Sequence, residues 1–184
     1  MLARCSAFIA TSLDGFIARP DGSIDWLTRA NADAPAGEDC GFAAYLSTVD
    51  AIAMGRNTYE QVLSFETWPY GDTLVYVLSR SLRSLPAGSP STVSLHSCTP
   101  RELAARAWSR GHRNLYVDGG ITIQSFLSAG MLAEITITIV PVLLGAGRPL
   151  FGAVPAAEVR VEHVYTQSYP FGFVQSRYAL EHDG

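Results

Sequence analysis

Hydrophobic and polar positions change period repeatedly along this chain, and each change marks an element. Arg4 to Ala10 reads as a strand, followed by a turn at Asp14-Gly15 and a short return over Phe16-Ile17-Ala18. Another turn signal sits at Pro20-Asp21-Gly22, and the Ala-, Asp- and Pro-containing stretch from Thr28 to Glu38 reads as a loop. Phe42, Tyr45, Leu46 and Val49 recur at helical spacing and predict a helix over Phe42 to Val49. Ala51-Ile52-Ala53-Met54 is apolar without alternation, as a strand covered on both faces should be. Gly55 ends it, and Thr58 to Leu63 reads as a helix. Thr73 to Ser79 is rich in strand formers, and Ser91 to Leu95 less so.

The sharpest helix start is at Thr99. Thr99 as N-cap, Pro100 at the first helical position and Glu102 at the third spell a capping box. Leu103, Ala104, Ala107 and Trp108 give that helix an apolar face, and Gly111 stops it. Asn114 to Val117 then reads as a strand, Gly119-Gly120 as a tight turn, and Ile121 to Ala129 as a helix. Glu134 to Val140 alternates, with Ile135, Ile137 and Ile139 on one face and Thr136 and Thr138 on the other. Two closing runs, Glu158 to Gln167 and Gly172 to Leu180, are joined too tightly through Tyr169-Pro170-Phe171 for a crossover. Strands separated by helices imply parallel pairing, and the closing pair implies an antiparallel hairpin. The predicted fold class is α/β: a mixed, mostly parallel central sheet with helices on both faces, in one domain over residues 1–184.

Composition narrows the function classes. Of 184 residues, 48% are hydrophobic and 16% charged, which fits a packed chain and excludes a disordered one. The net charge of -4 and the lack of any Lys/Arg run argue against nucleic acid as a partner. Cys5, Cys40 and Cys98 are scattered and form no CxxC pair, which suits a reducing compartment. No apolar run reaches the ~18 residues of a membrane span, and the start lacks a signal-peptide pattern. A cytoplasmic protein without membrane contact is expected.

Most catalytic signatures are missing: no HExxH, no GxSxG, no Walker loop and no zinc-deaminase pattern. His96, His112, His163 and His182 lie far apart and read as surface or strand-edge residues, so no metal is expected. Gly145-Ala146-Gly147 lacks the third glycine of a dinucleotide fingerprint, and Pro149 stands where a helix should begin. Three strand ends remain. Gly55-Arg56-Asn57-Thr58 leads from a buried strand into a helix, whose first N–H groups and dipole suit a phosphate. Asp118-Gly119-Gly120, with Ile121 and Thr122 opening the next helix, offers the same geometry. Leu78-Ser79-Arg80 ends a third strand with a hydroxyl and a cation. Each alone also reads as an ordinary turn; together, two of them carrying an arginine, they point to an anionic ligand.

These segments resemble the dihydrofolate-reductase-like superfamily, in particular stand-alone proteins similar to the reductase domain of the bifunctional riboflavin-biosynthesis deaminase/reductase. The resemblance covers nearly the whole chain. It rests on Ser12-Leu13-Asp14-Gly15-Phe16-Ile17-Ala18, Met54-Gly55-Arg56-Asn57-Thr58-Tyr59-Glu60, Val117-Asp118-Gly119-Gly120 and the run from Pro141 to Phe151. It implies NADPH as cofactor, with Gly55, Arg56, Asn57 and Thr58 at its phosphates and Leu78, Ser79 and Arg80 along the adenosine. It implies Asp118, Gly119, Gly120, Ile121 and Thr122 at the diphosphate, with a cis peptide in the turn. It also implies Ala10, Ile17 and Ala18 against the nicotinamide, and Trp26, Phe42 and Thr138 on the substrate side.

The same resemblance makes Asp39 the candidate catalytic acid, although the loop separating it from Trp26 is longer here than in dihydrofolate reductases. An exposed acid at a helix start reads equally well. The riboflavin-pathway reductases carry basic residues where this chain has Phe16 and an apolar helix around Phe42 and Tyr45. The resemblance thus implies an NADPH-dependent reductase of a small pteridine- or pyrimidine-like heterocycle, with 5-amino-6-(5-phosphoribosylamino)uracil reductase as precedent. A true dihydrofolate reductase and a non-catalytic nucleotide-binding or dimerising module are the alternatives. The family habit and the apolar Val142-Leu143-Leu144 run suggest a homodimer.

Overall fold

The apolar run Ala51–Gly55 is a central strand whose alternate residues feed two different cores. Ala51 and Ala53 pack on one face with Leu103, Ala107, Ile123 and Phe126, while Ile52 and Met54 pack on the other with Tyr59 and Val62. Burial on both faces is why this strand shows no alternation in sequence. A computed structural model describes residues 1–152 and 158–181 of the chain. His182 lies outside them.

In chain order the elements are β1 (Arg4–Ser12), β2 (Phe16–Ala18), α1 (Asp25–Asn31), α2 (Phe42–Leu46), β3 (Ala51–Gly55) and α3 (Arg56–Leu63). Then come β4 (Leu74–Leu78), β5 (Val93–His96), α4 (Pro100–Ser109), β6 (Asn114–Asp118) and α5 (Gly120–Ser128). The chain closes with β7 (Leu132–Val140), β8 (Arg148–Pro149), β9 (Val161–Ser168) and β10 (Val174–Leu180). Eight strands form one sheet in the order β5-β4-β3-β6-β1-β7-β10-β9. Pairings from β5 to β7 are parallel, and β10 runs antiparallel to both β7 and β9. The expected mixed sheet and closing hairpin are both present. β2 and β8 make a separate antiparallel pair. Among the described residues no helix is long and apolar enough to cross a membrane.

Two helices differ from the sequence reading. α1 runs through Asn31, so Thr28 to Asn31 is helical where a loop is expected. Asp25 starts it, bonded to Arg29 one turn later at 2.8 Å and to Arg19 at 2.6 Å, and Trp26 is buried. α2 stops at Leu46, short of Val49. Ser47 and Thr48 turn their hydroxyls onto the carbonyls of Ala44 and Tyr45, each at 2.7 Å, a local bond that competes with continued helix.

Candidate active site

The carboxyl ends of the parallel strands open into one cleft of about 1580 Å³, above the roughly 300–1,000 Å³ of a pocket for one small ligand. The starts of α3 and α5 lie inside it. Neither α3, after Gly55, nor α5, after Gly119, has a side-chain cap, so their first N–H groups are left to an occupant of the cleft. The two starts interlock. A Cβ on Gly55 would meet Thr122 Oγ1 at 3.0 Å, and one on Gly119 would run into Thr58 Oγ1. Gly119 also has φ 87°, a value that L side chains rarely adopt. Among the described residues every peptide bond is trans, so the cis bond implied by the resemblance is absent; the positive φ of Gly119 makes the tight passage.

The start of α4 lines the same cleft but is already satisfied. The Thr99 N–H donates to Glu102 Oε2 at 2.8 Å, and the Glu102 N–H donates to Thr99 Oγ1 at 3.3 Å. Its own carboxylate meets its positive end. The starts of α3 and α5 face the cleft open, as does that of α1 after Ile24.

At the end of β4, Ser79 Oγ accepts from the N–H groups of Ser81 and Leu82, which commits this hydroxyl to the turn. Arg80 lines the cleft and takes part in none of the ion pairs among the described residues. Arg56 is partly engaged, 3.4 Å from Ser81 Oγ and 3.7 Å from Glu60.

The β2–β8 pair forms the opposite wall. Ser12 Oγ donates to Asp14 at 2.6 Å, and the Asp14 carboxylate also accepts from the N–H groups of Leu144 and Gly145. Led by the Ser12 bond, these contacts hold the Asp14 carboxyl below its usual range. This clasp ties the Asp14-Gly15 turn to the loop before β8. Ile17 and Ala18 line the cleft behind it, and a Cβ on Gly120 would meet Ile17 Cδ1 at 2.7 Å.

Ala10 and Thr138 sit side by side in register on β1 and β7 and line the remaining part of the cleft. Thr138 Oγ1 accepts from Gln175 Nε2 at 2.9 Å, and the same amide donates to the Cys40 carbonyl at 2.9 Å. Phe42 packs against Phe8 with ring centroids 5.6 Å apart. Asp39 also lines the cleft, but both of its oxygens are occupied, accepting from Gly41 N at 2.9 Å and Ala43 N at 2.8 Å. Trp26 is buried with Val140 and Phe173 and is not among the residues lining the cleft. The site residues read from sequence therefore meet around one cleft, except Trp26.

One feature of the cleft has no sequence signature. Asp118 is buried at the end of β6, accepting from Tyr70 Oη at 3.2 Å and from Gly119 N at 2.8 Å. Burial raises its pKa, against the lowering pull of Tyr116, Tyr70 and the Gly119 N–H. Tyr70 lies far from it in sequence, on the segment after α3, and no local pattern links the two. Among the described residues no group of three or more His, Cys, Asp or Glu gathers as a metal site.

The sequence pattern of the RibD C-terminal domain matches residues 5–174. The chain belongs to this family. The uncharacterized protein YwjB of Bacillus subtilis (strain 168) is 35% identical over 151 residues, 78% of this chain and 80% of that one. Among solved structures, a protein from Shewanella sp. PV-4, provisionally linked to riboflavin biosynthesis, is 37% identical with a TM-score of 0.89. That match covers 99% of this chain and 100% of the other. A diaminohydroxyphosphoribosylaminopyrimidine deaminase/5-amino-6-(5-phosphoribosylamino)uracil reductase from Thermotoga maritima shares the fold, with a TM-score of 0.71 at 13% identity. It covers 97% of this chain and 57% of that longer one. The fold is thus the dihydrofolate-reductase-like fold of RibD reductase domains.

Proposed function

We propose that this protein is an NADPH-dependent oxidoreductase acting on a C=N or C=O bond of a small pteridine- or pyrimidine-like heterocycle. The observation that carries the reading is the pair of uncapped, interlocked helix starts at Gly55 and Gly119, open to a cleft that also holds Arg80. Backbone N–H groups there suit a diphosphate, and Arg80 with Arg56 suits the adenosine 2′-phosphate. The glycines let the two helix starts approach one another, Gly55 against Thr122 and Gly119 against Thr58, so that both sets of N–H groups meet at one place in the cleft. Gly120, Ile17, Ala18 and Ala10 would form the wall for the nicotinamide. When bound, the cofactor supplies hydride to an electrophilic carbon.

The chain's own part is to orient the two molecules and supply a proton. Of the two carboxyls, Asp118 is the buried one. Its burial favours the protonated form, and Tyr70 and Gly119 hold it in place. Asp39, expected from the sequence to be the acid, is exposed and caps the start of α2 with both oxygens.

The test is NADPH oxidation across a panel of dihydropterins and aminopyrimidines, with Asp118→Asn and Asp39→Asn assayed side by side. Asp118→Asn should keep NADPH affinity and lower turnover by roughly 10²–10⁴-fold, and Asp39→Asn by much less. Failure of the wild type to bind NADPH would overturn the reading. The reverse ranking of the variants would return the acid to Asp39.

A further inference from the structure

We infer that the substrate part of this cleft accepts a heterocycle without an anionic substituent: a neutral or cationic ring, not a phosphoribosyl or glutamyl conjugate. This rests on the reading above for which part of the cleft is which, and it names the substrate class within it.

The charge inventory is short enough to follow completely. The chain has no lysine, so all 13 cationic side chains are arginines, and none falls in the segments outside the described residues. Three of them line the cleft: Arg56, Arg80 and Arg148. Arg56 and Arg80 follow the ends of β3 and β4, at the proposed cofactor phosphates, where Gly55 and Leu78 are register partners. Arg148 stands opposite Ala18 in the β2–β8 pair. Its guanidinium packs over the Pro20–Ser23 turn, near enough that a Cβ on Gly22 would meet Nη2 at 3.0 Å. Arg19 and Arg29, which flank the start of α1, are both tied to Asp25. No arginine comes from the elements that carry Ala10, Phe42 and Thr138 into the cleft, except Arg4 on β1 and none on α2 or β7; Arg4 is at the far end of its strand, paired with Glu134.

What these elements do supply is apolar or acidic. Leu27, Phe42 and Phe173 line this part of the cleft, as do the carboxylates Glu38 and Asp39. Neither carboxylate has an arginine partner among the described ion pairs; they are held by backbone N–H groups, Glu38 by Cys40 N at 2.7 Å. Thr138 receives its bond from Gln175, which leaves its own O–H proton to donate to a ring nitrogen or carbonyl. A phosphate or γ-carboxylate placed here would lose hydration beside two like charges, and the one lining arginine outside the proposed cofactor phosphates, Arg148, belongs to the β2–β8 wall opposite. A neutral ring, or one carrying a proton, meets apolar walls, a hydroxyl donor and negative charge.

The experiment uses matched pairs that differ only in the anion. One pair is 5-amino-6-ribosylaminouracil and its 5′-phosphate; the other is the α,γ-diamide of 7,8-dihydrofolate and 7,8-dihydrofolate itself. Binding is measured by calorimetry on the full chain, with and without saturating NADPH, so that the outcome does not depend on turnover. The neutral member of each pair should bind at least tenfold more tightly, and added salt should narrow the gap. Glu38→Arg, with folding checked by its melting curve and NADPH affinity, should improve binding of the 5′-phosphate at least tenfold.

Equal or tighter binding of the anionic members would overturn the inference, and their loss in Arg148→Ala would then name the anchor. Binding of no member would overturn it too. If the neutral members bind but no NADPH is oxidised with any of them, the substrate class stands and the reductase reading falls.

Discussion

Thr58 fills the space that a side chain on Gly119 would need. Thr58, in the first turn of α3, and Gly119, which precedes α5, are packed so closely that only glycine fits at the second position. The contact fixes two helix starts relative to one another, and it does so at the proposed diphosphate site.

Gly119→Ala should therefore be costly twice over, once for the clash and once for φ 87°. The backbone part alone is on the order of 1–3 kcal/mol. Adding Thr58→Ala should recover the part due to the clash and leave the rest. Thermal unfolding of the two single variants and the double variant separates these parts. A Gly119→Ala protein as stable as the wild type would show that the helix starts are not packed this way.

NADPH should bind at least tenfold more tightly than NADH, a difference of about 1.4 kcal/mol. Arg80→Ala should erase most of this preference, because Arg80 is in none of the ion pairs among the described residues, whereas Arg56 is shared with Ser81 and Glu60. NADH affinity should barely change in either variant. Calorimetry that gives equal affinities in the wild type would remove both arginines from the cofactor site.

The sequence made much of this site legible because its parts are local. The capping box at Thr99 and Glu102 forms in full, and the strand-to-helix turns at Gly55 and Gly119 lie where the pattern breaks. What it hid is either non-local or too short to have a period. Tyr70 meets Asp118 only through tertiary folding, and β8 is a two-residue strand. α1 was obscured by the Ala/Asp/Pro composition that follows it, although Asp25 and Arg29 at helical spacing carried a signal. Asp39 was legible as a helix-start acid, and capping is the role its bonds show.

Asp118 should also leave a mark on stability. Its pKa is raised from 3.8 by burial, so between that value and the raised one the folded chain holds more protons than the unfolded chain. Its contribution to stability therefore falls as pH rises through this window. Asp118→Asn has no such proton to lose and should gain on the wild type over the same span. Urea midpoints of both proteins, measured stepwise upward from about pH 4, check the sign. A difference that does not change with pH would show an ordinary carboxyl.

The three thiols should react in a fixed order. Burial pushes Cys5 up to about 12, so it should resist iodoacetamide until the chain unfolds. Cys40 and Cys98 line the cleft and should react slowly in the native protein. NADPH should protect Cys98, which follows β5 near the Arg80 end, more than Cys40. Peptide mass spectrometry after timed labelling reads all three. Unchanged labelling of Cys98 under saturating NADPH would move the adenosine elsewhere.

The strand order has a consequence for how the chain is made. β1, which precedes the other strands of this sheet in the chain, lies between β6 and β7, with Arg4 beside Asn114 and Ser6 beside Glu134. It has no neighbour to pair with until most of the polypeptide has left the ribosome, and closing such long loops makes parallel pairing slow. A nascent chain that ends before Leu132 would still carry β1 with an open edge. Its folding should accordingly be a late, nearly all-at-once event, and chains arrested before β7 should be digested readily by protease.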